Sequence, residues 1–368
     1  MIVKRFCAEN FRNIEKCDIE FSPGVNLLYG QNAQGKTNVI EGIYYFSRGK
    51  SFRGREDKEL IRFGEEGFRI SVEFEDDMGD ESLEYAVYGK ERLRKKNGYK
   101  INKVTEMIGS FKAVLFYPDN LSLVKDGPEE RRNFLNIAAA SCYPAYIKYY
   151  SDYKKALENR NCILKMMQKG LYIDRNELDS WSSSMAEYAC HIYLMRRDYV
   201  KRLTVYAREV MRDISDGKEE LFIGYESNIE GDLSDRAQVK AEYERILSSS
   251  LDREIAAGVS LFGPHREDID IRINGISARA FASQGQQRSI VLSLKLAEGE
   301  VIKEICGDYP VFLFDDVLSE LDDKRRKYVL SGRGDRQIII TGCNKGECVG
   351  YTDSEIEVIG GRYVSSHR

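Results

Sequence analysis

The chain has 368 residues, 42% of them hydrophobic and 32% charged, with six prolines and a formal net charge of −4. That length accommodates two or three domains with a substantial core, and no run approaches the ~18–20 consecutive apolar residues of a membrane span. The slight acidic excess excludes a protein that coats nucleic acid by bulk charge, so any such contact must come from a local patch.

"MIVKRFCAEN" begins like a strand and lacks the apolar core of a signal peptide. "IVKRFCAEN", "CDIEF" and "VNLLYG" read as strands, and "TNVIEGIYYFS" as a helix. Short strand patterns dominate from Phe68 to Val104, and "AVLFY" (Ala113–Tyr117) has the all-apolar character of a buried strand. From about Glu129 to Ser215 the pattern turns helical, with few breakers; "ELFIGYES" suggests one strand and Arg236–Ile255 a further helix. After "LFGPHRED" strand patterns return, then a helix opened by "FASQGQQRS", the strand "PVFLFDD", a short helix and the strand "QIIIT". The expectation is an α/β head built from residues 1–125 and 260–368, with a mostly helical insertion at 126–259. No internal repeat or low-complexity tract interrupts it.

Eight cysteines, at 7, 17, 142, 162, 190, 306, 343 and 348, form no CxxC pair, and three histidines leave little for a zinc site or imidazole catalysis. Reduced thiols in a cytoplasm are expected.

The first stretch that carries chemistry is "GQNAQGKT": Gly30, Gln31, Asn32, Ala33, Gln34, Gly35, Lys36 and Thr37, with Asn38 following. It is G-x-x-x-x-G-K-[ST] between an apolar strand and a helix, the setting this phosphate loop requires. Its glycines let backbone amides face a triphosphate, Lys36 reaches the β- and γ-phosphates, and the Thr37 hydroxyl ligates Mg²⁺. "VFLFDD" (Val311–Asp316) is an all-apolar strand ending in two carboxylates. Ligands collect at the carboxyl ends of such strands. Asp315 is expected to orient Mg²⁺, and Asp316 to take or orient the proton of an attacking water.

"FASQGQQRS" admits two compatible readings. Ser283 and Gln286 fit the S-x-x-Q capping box. That leaves Gly285 unexplained, since it costs about 1 kcal/mol relative to alanine within a helix, whereas a glycine-containing, donor-rich helix start also suits an anion. The order of motifs resembles ATP-binding-cassette proteins, whose serine/glycine/glutamine signature sits at a helix start ahead of the strand that ends in the acidic pair and contacts the γ-phosphate bound to the other subunit. The resemblance gives that role to Ser283, Gln284, Gly285 and Gln286. "SELD", with Ser319 and Asp322, matches the D-loop of those proteins.

Across nearly the whole length the chain resembles the RecF family, the SMC-like branch of these ATPases. The residues that carry this are "ENFRNIE", "GQNAQGKTNVIEGIYYFSRGKSFR", "DKELIRFG", "PEERRNFLN", "YKKALENRN", "GPHRED", "SQGQQRSIVLSLKLAE" and "PVFLFDDVLSELD". The resemblance implies an ABC-type, SMC-like ATPase head with a P-loop sheet and an antiparallel β subdomain. It also implies ATP and Mg²⁺ as cofactors, an ATP-dependent homodimer, and binding to gapped or single-strand/double-strand junction DNA with RecO and RecR as partners. Slow hydrolysis would then time release. Phe52, Asn120, Glu267 and "TGC" (Thr341–Cys343) depart from the family pattern; the last leaves the residue that senses the γ-phosphate open, and Asp119 is a candidate sensor. In SMC-like ATPases an arginine at Arg12 approaches the phosphates, with a surface ion pair as the alternative.

"GKERLRKKNGYKINK" (Gly89–Lys103) carries seven Lys/Arg against one acid around an Asn97-Gly98 turn. Arg92, Arg94, Lys95, Lys96 and Lys100 either track DNA phosphates or protect an edge strand from pairing. Two other functions compete. The energy subunit of a membrane transporter shares the three motifs, and a structural SMC protein would need a long heptad seam, which residues 126–259 lack.

Overall fold

The computed structural model describes residues 1–54, 56–171, 174–231, 233–331 and 336–367. Its strands are β1 (Ile2–Phe11), β2 (Ile14–Glu20), β3 (Val25–Tyr29), β4 (Gly67–Asp76), β5 (Gly79–Tyr88), β6 (Glu91–Lys96), β7 (Tyr99–Lys100), β8 (Ala113–Phe116), β9 (Leu221–Glu226), β10 (Asp268–Ile273), β11 (Ile276–Ser277), β12 (Val311–Phe314), β13 (Ile338–Gly342), β14 (Ser354–Ile359) and β15 (Arg362–His367). The chain divides into two compact units. One holds Met1–Leu121, Glu209–Lys218 and Gln284–Arg368; the other holds Ser122–Arg208 and Glu219–Ser283.

The first unit contains two six-stranded sheets. One runs β15-β14-β3-β13-β12-β8, and all its neighbours are parallel except the β14–β15 edge pair. Every residue of β3, β8, β12 and β13 is buried. This explains why these segments read as mainly apolar runs, unbroken in β8 and β12: a parallel sheet is covered on both faces. Truncating Leu28, Leu313 or Ile340 to alanine should cost about 2–5 kcal/mol. The other sheet, β2-β1-β4-β5-β6-β7, is antiparallel throughout. Gln337, fully buried, accepts the Val3 N–H (2.7 Å) and donates to the carbonyls of Val3 and Ser22 (both 2.8 Å), so it ties the start of β1 to the segment entering β13.

The second unit is helical around a three-stranded antiparallel sheet, β11-β10-β9. The expected boundary at residue 260 is displaced, because β10 pairs with β9 from Asp268 to Ile273 and residues up to Ser283 therefore belong here. The single helix expected over 236–255 is two helices, Arg236–Ser249 and Leu251–Ala257, that meet at Ser250. A 41-residue helix, Arg175–Ser215, buries Ala186, Ala189, Cys190, Ile192 and Tyr193 in this unit's aromatic core.

The motifs "PEERRNFLN", "YKKALENRN" and "GPHRED" converge here on buried polar pairs. Arg131 forks onto Asp268 (2.8 and 2.6 Å). Arg160 meets Glu254 at 2.6 Å with both side chains at 1% exposure or less. Glu267 accepts from the hydroxyls of Tyr243 (2.6 Å) and Tyr225, beside Arg196. Burial pushes the Glu267 carboxyl above the usual range, against the pull of Arg196 and the two tyrosines. Buried polar groups persist only when partnered, so these stretches have a structural explanation.

Candidate active site

Three neighbouring parallel strands end together. β3 runs into the phosphate loop, β12 into Asp315, and β13, which lies between them, carries Thr341 near its end. The geometry is that of a ligand crevice at the carboxyl edge of a sheet.

Gly30 begins the loop at φ 149°, and a Cβ there would sit 2.4 Å from the Val358 carbonyl oxygen. Only glycine fits. The loop closes at Gly35 (φ 112°), and the helix Lys36–Arg48 starts with no side-chain cap, so its first amides are available to a ligand. Lys36 is 8% exposed, and its Nζ donates to the carbonyls of Gly30 and Gln31 (3.0 Å for the latter). Among the described residues this nearly buried ammonium is held by loop carbonyls alone, which leaves its charge for an anion.

Thr37 Oγ1 donates to Asp315 Oδ1 at 2.9 Å, and Thr341 Oγ1 donates to the same oxygen at 2.9 Å. Burial raises the Asp315 pKa, opposed by the two threonine hydroxyls. A hydroxyl and a buried carboxylate side by side are the hard oxygen donors a small divalent cation takes, so these residues fit Mg²⁺. Asp316 is exposed, and its backbone N–H donates to Thr341 Oγ1 (2.9 Å) while its φ is 54°. That left-handed setting turns the two consecutive carboxylates apart, one inward and one toward the cavity.

The cavity has a volume of about 620 Å³. Of the residues expected at a nucleotide, Asn32, Ala33, Gln34, Gly35, Lys36, Thr37, Asn38, Arg12 and Asp316 line it, whereas Gly30, Gln31 and Asp315 do not. Thr341, from the stretch where the γ-phosphate sensor is left open, lines it too, as do Asn13, Arg53, Glu59, Ile61 and Phe63, to which the sequence assigns no nucleotide-contacting role. Arg12 forks onto the fully buried Glu41 (3.0 and 2.7 Å), which also takes Arg53. Burial alone would raise the Glu41 pKa; Arg12 and Arg53 outweigh it and hold the carboxyl below its ordinary value. Arg12 therefore lines the cavity while paired to a buried carboxylate, not to a surface one.

Ser283, Gln284 and Gly285 are exposed, and the signature residues are absent from the cavity lining of this chain. A Cβ at Gly285 would meet nothing within 4 Å. Neither packing nor a positive φ requires this glycine. The D-loop and signature helix are tied: Arg325 bonds both Ser289 Oγ (3.1 Å through Nε) and Asp322, and Asp322 caps the following helix through the Arg325 amide (2.9 Å). Ser319 is exposed.

The basic hairpin forms as expected, with Asn97 and Gly98 at φ 51° and 79°. Most of its charge is used internally. Arg92 pairs with Asp57 (2.9 Å), Lys95 with Glu84 (3.3 Å) and Lys96 with Glu81 (2.6 Å), while Arg94 lies over the Tyr85 ring. Lys100 is exposed on the edge strand β7. Phe52 packs against Tyr117 with ring centroids 4.9 Å apart and planes tilted by 58°, at the edge of the core, and Asn120 accepts the Tyr117 N–H (3.0 Å). Asp119 is absent from the cavity lining.

The fold and this crevice define an SMC/ABC ATPase-like head. The chain matches the family model RecF/RecN/SMC N terminal domain over residues 2–358. It is 38% identical over 350 residues to the DNA replication and repair protein RecF of Acetivibrio thermocellus, covering 94% of each chain. Against RecF of Clostridioides difficile it is also 38% identical, covering 93% of this chain and 91% of the relative. The solved recombination mediator protein RecF-ATPrS in the RecFOR pathway superposes with a TM-score of 0.91 at 34% identity, covering 99% and 97% of the two chains. A Pyrococcus furiosus Smc head shares the fold alone, at a TM-score of 0.58 and 18% identity. The chain belongs to the RecF family. These comparisons give no support to the transporter alternative, and among the described residues no helix is long and apolar enough to cross a membrane.

Proposed function

We propose that this protein is an ATP-dependent DNA-binding clamp of recombinational repair, whose dimer closes on ATP and opens on slow hydrolysis. RecF relatives are DNA replication and repair proteins, and their solved structures carry ATP or an analogue in the RecFOR pathway. The observation that carries the reading is the separation of two half-sites. The phosphate loop and Asp316 line one cavity, while none of the signature residues lines it and the glycine of the signature is exposed and unforced. A second copy can supply that signature to the γ-phosphate, and an ABC head needs this arrangement to link association to ATP.

Lys36 and the loop amides neutralise the β- and γ-phosphates. Thr37 and Asp315 would hold Mg²⁺, which supplies charge to the leaving phosphate oxygens when bound. Thr341 fixes both aspartates, leaving the Asp316 carboxylate at the cavity to accept a proton from water. Ser283–Gln286 would complete the opposing site, and Ser319 and Asp322 would report its state to the signature helix through Arg325. The preferred DNA is gapped or junction duplex, with RecO and RecR as partners in a cytoplasmic setting. The hairpin cations Arg92, Arg94, Lys95, Lys96 and Lys100 are one candidate DNA surface.

The test is ATP turnover with and without a gapped duplex, for wild type and Lys36→Met. DNA-stimulated turnover that Lys36→Met abolishes is expected. Turnover indifferent to DNA, or insensitive to Lys36→Met, rejects the reading.

A further inference from the structure

Phe63 is the most exposed large apolar side chain among the described residues, at 103% relative exposure, yet it lines the cavity that holds Lys36 and Thr37. We propose that Phe63 is the platform on which the base of the bound nucleotide stacks. The proposal rests on the nucleotide reading of this cavity and assigns the end of it that the phosphate motifs leave unexplained.

The segment carrying Phe63 is held against the cavity wall. The Arg12 N–H donates to the Leu60 carbonyl (2.7 Å) and the Arg62 N–H to the Asn10 carbonyl (2.9 Å), with Ile61 bridged to Phe11 between them. The Arg12 guanidinium donates to the Glu59 carbonyl at 2.8 Å. A turn closed by the Glu65 N–H on the Arg62 carbonyl (3.0 Å), with Gly64 at φ 89°, presents the ring at its tip. The backbone is therefore anchored on both sides, and the side chain is left open to solvent. An anchored loop displaying a bare aromatic face is arranged to cover something flat.

The occupant follows from the rest of the cavity. If Lys36 and the loop amides hold the phosphates, the base must lie elsewhere in the same cavity, and Ile61 and Phe63 are its apolar lining. A phenyl face stacks on a purine without reading its edge, because every base presents a π-face. The platform therefore favours purine over pyrimidine nucleotides by area and separates adenine from guanine weakly.

The experiment compares ATP with inorganic tripolyphosphate, which has the phosphates and no base, in the presence of Mg²⁺. Phe63→Ala should weaken ATP binding about tenfold, equivalent to about 1.4 kcal/mol, and leave tripolyphosphate affinity unchanged. Phe63→Trp should retain ATP affinity, with fluorescence that ATP quenches and tripolyphosphate does not. Phe63→Ala binding ATP as wild type does, or losing both ligands equally, overturns the proposal. If wild type and Lys36→Met bind ATP alike, the nucleotide reading itself has failed; if ATP binding needs Lys36 but ignores Phe63, only the platform has.

Discussion

Replacing Thr341 with valine deletes one hydroxyl at nearly constant volume and breaks two hydrogen bonds at the floor of the phosphate cavity. The hydroxyl donates to the Asp315 carboxylate and accepts the Asp316 N–H, both at 2.9 Å, from a side chain at 1% exposure. A bond to a charged partner contributes about 1.5–3 kcal/mol and a neutral one about 1, so the loss should be about 3 kcal/mol. Chemistry should change as well. Burial already raises the Asp315 pKa, and the Thr341 hydroxyl is one of the groups holding it down. Removing that donor moves the pKa further up, so the ionised form is reached only at higher pH. The acid limb of ATP turnover should therefore shift to higher pH in Thr341→Val and return in Thr341→Ser. Urea unfolding and a pH–rate profile measure the two effects. A valine variant with the wild-type midpoint and an unmoved acid limb would refute the argument.

Asp316→Asn should retain ATP binding and slow turnover by about 10²–10⁴, the range of a lost general base, whereas Asp315→Asn should weaken Mg²⁺-dependent binding itself; parallel binding and turnover assays separate them. The His265 pKa is depressed to about 4, chiefly by burial, with Tyr153 (2.6 Å) and the Ser260 carbonyl (3.1 Å) satisfying a neutral ring. The unfolded chain takes up a proton near pH 6.5 and the folded one resists until about 4, so stability is lost as pH falls through that window, by at most about 3 kcal/mol. Thermal melts at pH 7 and 5 should show this loss in wild type and a smaller one in His265→Gln. Reversing Arg94, Lys95 and Lys96 to Glu should flatten the salt dependence of DNA binding by about 0.9 in log–log slope per lost duplex contact; an unchanged slope would mean that Glu81 and Glu84 already neutralise the hairpin.

The phosphate loop was legible because its chemistry is local: Gly30 to Thr37 are contiguous, and their constraints are backbone constraints. β3, β8, β12 and β13 are legible because burial on both faces leaves them almost wholly apolar, with Asn26 and Thr341 as the exceptions. Thr341 was not, since its role depends on β13 lying between β3 and β12, a register the sequence does not display. Glu41 was hidden for the opposite reason: a charged residue in an otherwise apolar helix looks solvent-facing until Arg12 and Arg53 arrive from elsewhere in the chain. The boundary near 260 is not legible because β10 reads as one more strand of the head, whereas its partner β9 lies in the helical unit.

The central claim, that ATP joins two chains through Lys36 of one and Ser283 of the other, is tested most directly by mixing two inactive variants. Lys36→Met homodimers lack both phosphate loops, and Ser283→Arg homodimers lack both signatures. A mixed dimer pairs the two defects in one site and leaves the other intact. Sedimentation with ATP and Mg²⁺ should show each variant alone as a monomer and the mixture as a dimer holding one ATP. If either variant dimerises alone, or the mixture stays monomeric while wild type associates, the two-chain site does not exist.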